Sequence, residues 1–271
     1  MRTTWMTWLV LALALCLACN EDDDDDGDDD TGDDDTGDDD AGDDDTGDDD
    51  TGDDDTGPDL ISISGTWKNW DGSAVIVGTE ICFESGKYQD CDSTDQGGAW
   101  AVDAPADTAG MLTSEGGKPA IAPSLMPVHT GTNDISLVIE DASPAHVTAW
   151  YGDVGATEDP TLGTVGFQVW HTWGPNTAPA VGATIALAPG KGAGPYYCSE
   201  KTLEELDPTL VSMTESNIGF FVGVPPGTYD LSASLDGYVC DKVWPGVGAA
   251  PVSAEVRPGW STWVIIDCTP E

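Results

Sequence analysis

The sequence predicts an all-β protein in which two tandem β-sandwiches follow an acidic linker and are joined by a short helix. Past residue 60, short runs of alternating apolar and polar residues are separated by turn residues about every 8–12 positions, a pattern typical of β-sandwiches. The chain contains 33 Gly and 18 Pro, and nine of its 11 Trp follow residue 20. Turn-forming and aromatic residues together favour strands and loops over helices.

Residues 1–18 predict an export signal. One early positive charge precedes an apolar run, Trp8–Leu17, that is too short to cross a bilayer. The sequence Cys-Leu-Ala-Cys at 16–19 resembles the lipobox of bacterial lipoprotein signal peptides, although Cys16 stands where Leu is usual. The resemblance implies a lipid-modified Cys19, a membrane as partner, and a place in the cell envelope, at the outer membrane or cell surface. An ordinary signal peptide with a released product is the alternative.

Residues 19–59 predict a disordered, Asp-rich linker. From Gly27 the run repeats Asp-Asp-Asp-Thr-Gly, and it contains no aromatic residue that a core would bury. Repulsion between like charges extends such a chain. One stretch matches positions of an EF-hand-like calcium loop, namely Asp22, Asp24, Asp26, Gly27 and Asp33. Because its last position is Asp instead of the longer Glu, we expect weak, diffuse Ca²⁺ association and no shaped metal site. We expect no other cofactor.

The charge of the chain argues against nucleic acid as a partner. The formal net charge is −43, and 25 of the 51 acidic residues lie in Glu21–Asp59. The other 26 stand against seven Lys or Arg, because the eighth basic residue lies in the signal, so the remaining chain carries about −19. Phosphate backbones are bound by basic surfaces instead.

The first predicted β-sandwich covers residues 60–142. A turn at Ser85-Gly86-Lys87 separates two strands that carry Cys82 and Cys91. Strands are predicted around positions 61–67, 75–83, 88–94, 100–102, 108–113 and 135–139. These short strands with frequent turns predict a compact antiparallel module.

Residues 143–163 predict a connector with a short helix at His146–Asp153. Ser143 is a candidate N-cap, and Pro144 suits the first helical position, where a missing N–H costs no hydrogen bond. A following Gly at 152 or 155 provides a stop. The segment therefore links the two β modules through one helix.

The second predicted β-sandwich covers residues 164–271. Strands are expected at 165–170, 181–187, 196–198, 219–224, 229–235, 251–256 and 261–267. The module resembles the carboxypeptidase regulatory-like domain, a prealbumin-like (transthyretin-type) sandwich, through Gly219-Phe220, Val224–Tyr229 and Gly237-Tyr238. The resemblance implies an Ig-like or prealbumin-like sandwich and a carbohydrate-binding-like fold, and it covers the first module more weakly. Such domains accompany catalytic partners or serve in adhesion, scaffolding or sugar binding.

Five cysteines remain once the signal-peptide Cys and the acylated Cys are set aside. Export to an oxidising compartment favours their pairing. Cys82 and Cys91 are predicted to form a disulfide across a hairpin. Among the other three, Cys198–Cys240 is the preferred pair and Cys240–Cys268 the alternative. Metal binding by these thiols is not favoured, because no CxxC motif or nearby His accompanies them.

The sequence predicts no enzyme. His129, His146 and His171 are scattered without a spaced partner, and no Ser lies in a GxSxG elbow. A pair of carboxylates could be chosen anywhere in so acidic a chain, so such a choice would carry no information. A component of a hydrolase is the least favoured hypothesis.

Pairs of tryptophans separated by three residues are the candidates for ligand contact. On a strand an odd separation places two rings on opposite faces, so one ring of each pair is expected outside the core. Candidates for stacking on sugar rings are Trp170, Trp173, Trp260 and Trp263. We expect a non-catalytic, lipid-anchored envelope protein for binding, adhesion or structural support, with envelope polysaccharide or a surface protein as partner. A carbohydrate-binding accessory module is the alternative.

Overall fold

The computed structural model describes residues 57–70, 72–173, 176–199, 205–249 and 252–271. Within these ranges the chain forms one helix, α1 (Pro144–Asp153), and 18 strands. The strands are β1 (Leu60–Asn69), β2 (Val77–Ser85), β3 (Tyr88–Ser93), β4 (Ala99–Pro105), β5 (Ala109–Lys118), β6 (Ser124–His129), β7 (Ile135–Asp141), β8 (Gly163–Trp173), β9 (Asn176–Pro179), β10 (Thr184–Ala188), β11 (Ala193–Cys198), β12 (Leu206–Asp207), β13 (Ile218–Val224), β14 (Gly227–Ser234), β15 (Tyr238–Trp244), β16 (Gly248–Ala249), β17 (Val252–Val256) and β18 (Ser261–Pro270). The predicted fold class, all-β with one short helix, is confirmed.

The predicted export signal, the lipid-modified Cys19 and most of the acidic linker lie outside the described residues. These assignments stay predictions, as does Ca²⁺ association with the linker. In the ranges that the structure does describe, no helix is long and apolar enough to cross a membrane.

The strands form three sheets. A first outer sheet has the order β4-β1-β7, and a second outer sheet has the order β10-β14-β17. A middle sheet runs β12-β11-β13-β8-β18-β6-β5-β2-β3. In addition, β9 pairs with β8, and β15 pairs with β18 and with β16. Sheets with one face buried against another sheet account for the alternating burial along most strands.

Two apolar cores lie on opposite faces of the middle sheet. In β8, Val165, Phe167 and Val169 are fully buried against the second outer sheet. Between them, Gly166 faces the other side, against Phe220 and Trp263. The side chains of a strand alternate between its two faces, so one strand contributes to both cores. The first core adds residues from the first outer sheet and α1.

The middle sheet takes strands from both predicted modules. β6 and β18 pair in parallel, with Ser124 opposite Ser261. Arg257, just after β17, also reaches the first module, with Nη2 2.7 Å from Glu84 Oε2. The two predicted sandwiches therefore share a sheet, while the boundaries assigned to them along the chain stay predictions.

β6 is a strand that the sequence pattern does not reveal. Its Pro127 argues against a strand, because proline donates no ladder hydrogen bond. On one side β6 pairs fully with β5. On the other side it pairs with β18 only at Ser124 and Leu125. Pro127 lies beyond that short contact, so no donor is needed along that edge.

α1 confirms the helix predicted for the connector. Ser143 is its N-cap, and the Oγ atom accepts a hydrogen bond from the His146 backbone N–H at 3.3 Å. Pro144 opens the first turn, as predicted. Trp150 on the helix is completely buried, and its ring centroid lies 4.0 Å from that of Phe220. The helix is thus packed into the first core.

Two disulfides are present, and one predicted pairing is wrong. Cys82 bonds Cys91 across the β2–β3 hairpin, as predicted. Cys240 bonds Cys268 instead of Cys198, which is buried and free. Three strands lie between Cys198 on β11 and Cys240 on β15. At the usual strand spacing this is about 19 Å, whereas a disulfide joins Cα atoms no more than about 7 Å apart.

Candidate binding site

An open cavity of about 650 Å³ lies between the middle sheet and the first outer sheet. Its volume falls within the range of about 300–1,000 Å³ that is usual for small-molecule sites. The aromatic residues that line it are Trp67, Trp70, Trp170, Trp244 and Trp263. The polar residues that line it are Ser124, Glu140, Gln168, Thr172, Thr177, Lys242 and Asp267. The cavity therefore combines flat apolar surfaces with a small set of hydrogen-bonding groups.

One side of the cavity is a face of three adjacent strands, β8, β18 and β15, called the cavity wall below. Side chains between the wall residues, such as Val169 and Ile266, point into the second core. The period of two along a strand thus explains why one face is polar and aromatic while the other is aliphatic. The backbone register places two rows across the wall, Trp170–Asp267–Lys242 and Gln168–Ile265–Trp244.

Asp267 occupies the centre of the polar part of the wall. Thr172 Oγ1 donates a hydrogen bond to Asp267 Oδ1 at 2.8 Å. Lys242 lies directly opposite Asp267 on β15, where unlike charges attract. In the same face, Trp170 Nε1 donates to Gln168 Oε1 at 3.3 Å. These contacts orient the carboxylate and the indole before any ligand is present.

The floor of the cavity is a packed aromatic cluster. The Trp263 ring, in a residue 6% exposed, lies 5.2 Å from Trp70 and 5.3 Å from Phe220 between centroids. The indole N–H groups of Trp150 and Trp263 are buried with no hydrogen-bond partner among the described residues. Packing alone therefore positions these rings. At Gly166 a Cβ would lie 2.7 Å from the Trp263 ring, so this close contact requires glycine.

The mouth of the cavity carries exposed apolar side chains. Trp244 is 39% exposed and Val138 is 58% exposed, and both line the cavity. Apolar groups that meet solvent around a concave site mark a surface made for contact. The mouth is therefore the place where a ligand would first replace water.

Two of the four tryptophans proposed for stacking line the cavity, Trp170 and Trp263. Trp260 precedes β18, and its ring centroid lies 5.5 Å from the guanidinium carbon of Arg257. The alternation argument does not apply to Trp260, because this residue is not in a strand. Trp173 ends β8, but its side chain is outside the described part. A stacking role for Trp170, Trp173 and Trp263 stays a prediction, whereas Trp260 does not line the cavity and is not part of the binding site proposed below.

Sequence reasoning did not select the other tryptophans of the cavity for stacking, although Trp67 and Trp70 also form a pair separated by three residues. Trp244 had a local signal, since Lys242 and Trp244 flank the buried Val243 on an alternating strand. Trp70 follows β1, and it contacts Trp263 only through the tertiary fold. No spacing along the chain connects those two residues.

A buried carboxyl group behind the cavity joins the first outer sheet to the middle sheet. Asp141, at the end of β7, is 1% exposed. Its Oδ2 accepts hydrogen bonds from Ser124 Oγ at 2.6 Å and from Ser114 Oγ at 3.1 Å, and its Oδ1 accepts one from the Ala142 backbone N–H. Burial raises the pKa of Asp141 to about 6, although the hydrogen bonds oppose the rise. Because Ser124 also lines the cavity, this network supports the site.

The geometry offers no thiolate metal site at the first disulfide. Glu80, Cys82 and Cys91 lie close enough together to hold a metal ion. Both sulfurs are bonded to each other, however, and a metal ligand must be a thiolate. The three histidines lie on β6, α1 and β8, and none of them is among the described residues that line the cavity.

Comparison with known proteins assigns this chain to no family. No family model matches the sequence, and no curated protein matches it significantly. The fold is similar to the minor pilin GBS52 of Streptococcus agalactiae, with 11% identity, 78% of this chain and 96% of that chain covered, and a TM-score of 0.29. It is also similar to a proposed carbohydrate-binding protein of Bacteroides uniformis, with 10% identity, coverages of 74% and 98%, and a TM-score of 0.25.

A third similar structure is the Bacillus anthracis TIE protein, with 12% identity and a TM-score of 0.25. The match covers 78% of this chain but spans only 34% of that protein. Scores of this size do not establish a common fold in detail, so nothing is transferred from these proteins to this chain.

Proposed function

We propose that this chain is a non-catalytic binding protein of the cell envelope and that its ligand occupies the tryptophan-lined cavity. The observation that carries the proposal is the cavity itself, with about 650 Å³ of space and five lining tryptophans. Concave, mostly apolar sites with a few fixed polar groups are where proteins bind ligands. The aromatic floor and the hydrogen-bonded wall support binding with little rearrangement.

The chemistry of the cavity favours binding over catalysis. Nucleophilic catalysis requires a nucleophile beside a general base, and the described lining residues include neither His nor Cys. Glycoside hydrolysis uses a carboxyl group that burial keeps protonated. Glu140 is exposed, and Asp267 already accepts a hydrogen bond from Thr172. A hydrolytic role is therefore the least favoured function.

The binding proposal is tested with arrays of glycans and of peptides, probed with the full chain and two variants. Trp244→Ala removes an exposed ring at the mouth, and Trp260→Ala removes a half-buried ring outside the cavity as the matched control. We expect at least one probe to bind the unmodified and Trp260→Ala chains and to bind Trp244→Ala about tenfold more weakly. If no probe shows binding that depends on Trp244, the cavity is not the recognition site.

Attachment of the chain to a membrane through Cys19 belongs to the same proposal. It is supported by the sequence of the signal and its Cys-Leu-Ala-Cys motif. Two or more acyl chains are needed for stable anchoring, and lipoprotein processing supplies them. Labelling cells with an alkyne-tagged fatty acid should mark the unmodified chain and Cys16→Ser but not Cys19→Ser. Equal labelling of Cys19→Ser, or none of the unmodified chain, would reject the anchor.

A further inference from the structure

We infer that the ligand of the cavity is a neutral oligosaccharide, an inference that rests on the proposed binding function. It is carried by the arrangement of the cavity wall. Trp170 and Trp244 stand at opposite corners of the wall, and Asp267 lies between Trp170 and Lys242. This arrangement places flat apolar surfaces beside hydrogen-bond donors and acceptors.

The two corner tryptophans suit the faces of sugar rings. A pyranose has a face made of C–H groups, which packs flat on an aromatic ring while the hydroxyls point to the sides. Trp244 is exposed at the mouth, and Trp170 is half-buried with its Nε1 held by Gln168. Large, rigid rings give such contacts at a low cost in side-chain entropy.

The polar groups of the wall suit hydroxyls beside those rings. A carboxylate accepts about four hydrogen bonds and an ammonium donates three. Thr172 occupies one acceptor position of Asp267, which leaves capacity for a ligand. A sugar hydroxyl both donates and accepts, so neighbouring hydroxyls match the carboxylate of Asp267 and the ammonium of Lys242, which are carried by residues directly opposite each other on paired strands. Hydrogen bonds to charged groups are the stronger kind.

The charge of the protein disfavours acidic glycans. The cavity is lined by two carboxylates, Glu140 and Asp267, and by one basic residue, Lys242. The chain outside the signal and the acidic run is itself about −19. A negative surface lowers the local concentration of anionic ligands and slows their association. Uronic-acid and sulfated chains are therefore disfavoured, and uncharged sugars are not.

The spacing of the two tryptophans requires more than one sugar. Trp170 and Trp244 are two strands apart across the wall and two residues apart along it. Standard strand spacings then place their Cα atoms about 12 Å apart. One ring cannot lie on both indoles, so a ligand that uses both is a chain of sugars.

The inference is tested by calorimetric titration of the full chain with cellohexaose, mannohexaose and xylohexaose. Hexagalacturonate is the acidic counterpart, and an array of apolar peptides represents the alternative class. The variants are Trp244→Ala, Trp170→Ala and Asp267→Asn, with Trp260→Ala as the control. Trp244 is exposed, so its truncation leaves the core intact, and circular dichroism confirms the fold of each variant.

We expect a neutral hexasaccharide to bind the unmodified chain and Trp260→Ala equally, and to bind Trp244→Ala and Asp267→Asn about tenfold or more weakly. Binding of hexagalacturonate or a peptide alone, lost in Trp244→Ala, would overturn the ligand class and keep the binding function. A neutral sugar that binds Trp244→Ala and Trp170→Ala as tightly as the unmodified chain would show a site outside the cavity. Failure of every probe to bind would overturn the function as well.

Discussion

Asp141 is a carboxyl group in a buried setting, and its ionisation is therefore linked to folding. Its pKa rises from 3.8 to about 6 because burial disfavours the charged form. Between these values the folded chain holds a proton that the unfolded chain has released. The contribution of Asp141 to stability is therefore highest below pH 3.8, and it declines as the pH rises through about 6.

The substitution Asp141→Asn should stabilise the fold at neutral pH. The amide keeps an oxygen for the Ala142 N–H and gains donors for Ser124 and Ser114. A pKa difference of two units corresponds to a free energy of about 3 kcal/mol. The unmodified chain loses this much stability at pH 7, because its buried carboxyl group is ionised there. The variant has no carboxyl group at this position and keeps that stability. Urea unfolding at pH 4 and pH 7 measures this, with the exposed Asp230→Asn as control. An Asp141→Asn variant less stable than the unmodified chain at pH 7 would contradict the account.

Cys198 should be inert toward thiol reagents in the folded protein. Burial, with a smaller effect of Asp153, raises the pKa of its thiol to about 12, so the reactive thiolate is scarce. An alkylating reagent at pH 8 should modify Cys198 only in denaturant. Peptide mapping of the native protein should also find the Cys82–Cys91 and Cys240–Cys268 bonds. Rapid labelling of the native chain, or a Cys198 disulfide, would refute this.

At the scale of single elements, β15 is attached to the rest of the cavity wall through β18. Its pairing with β18 is interrupted between Val239 and Lys242, and the Cys240–Cys268 bond lies at that interruption. β15 supplies two wall residues, Lys242 and Trp244. The disulfide thus fastens the strand that carries half of the proposed contacts.

Replacing Cys240 and Cys268 by Ser should weaken ligand binding as well as the fold. Loss of a bond spanning 28 residues costs roughly 3–4 kcal/mol in the chain-entropy model. The double variant Cys82→Ser with Cys91→Ser is the matched control, because β2 and β3 supply no lining residue. Thermal unfolding should show losses in both variants, and titration should show weaker binding only in the first. Equal binding by both variants would mean that β15 is held without its disulfide.

The elements that the sequence predicts are those with local signals. Alternation located the strand at Ile61 and Ile63, and Ser143-Pro144 located α1. The sequence did not predict β6, because Pro127 opposes a strand locally. In the fold, β6 pairs along its length with β5, and Pro127 lies beyond the short pairing of β6 with β18. The sequence did not predict the cavity either, because its residues are brought together only by the tertiary fold. The hydrogen bond between Thr172 and Asp267 joins positions 95 residues apart, and only the pairing of β8 with β18 brings them together.

For the whole molecule, the shared middle sheet predicts that the two modules unfold together. Residues of the second module, Ile218, Phe220, Val222 and Trp263, are buried in the first core. A fragment 164–271 would expose that apolar surface to water, which is costly. The full chain should therefore unfold in one cooperative transition by fluorescence and circular dichroism.

The same fragment should show no cooperative transition of its own. Urea titration of the fragment 164–271 and of the full chain, followed by both probes, makes the comparison. Two separate transitions in the full chain, or a cooperative one in the fragment, would show that each module is stable alone. In that case the contacts across the middle sheet, such as Arg257 with Glu84, would be an interface between independent bodies.

The position of β1 has a mechanical consequence for the membrane anchor proposed at Cys19. Any tension between an anchored Cys19 and a ligand in the cavity enters the folded unit at Leu60. β1 lies between two neighbours, and it is paired at seven positions with β4 and at seven with β7. A force along the axis of β1 would load its backbone hydrogen bonds to β4 and β7 in shear. Those hydrogen bonds would then bear the force at the same time instead of breaking one after another. The strand is thus paired on both sides from Ile63 to Thr66, three residues beyond the point where force would arrive.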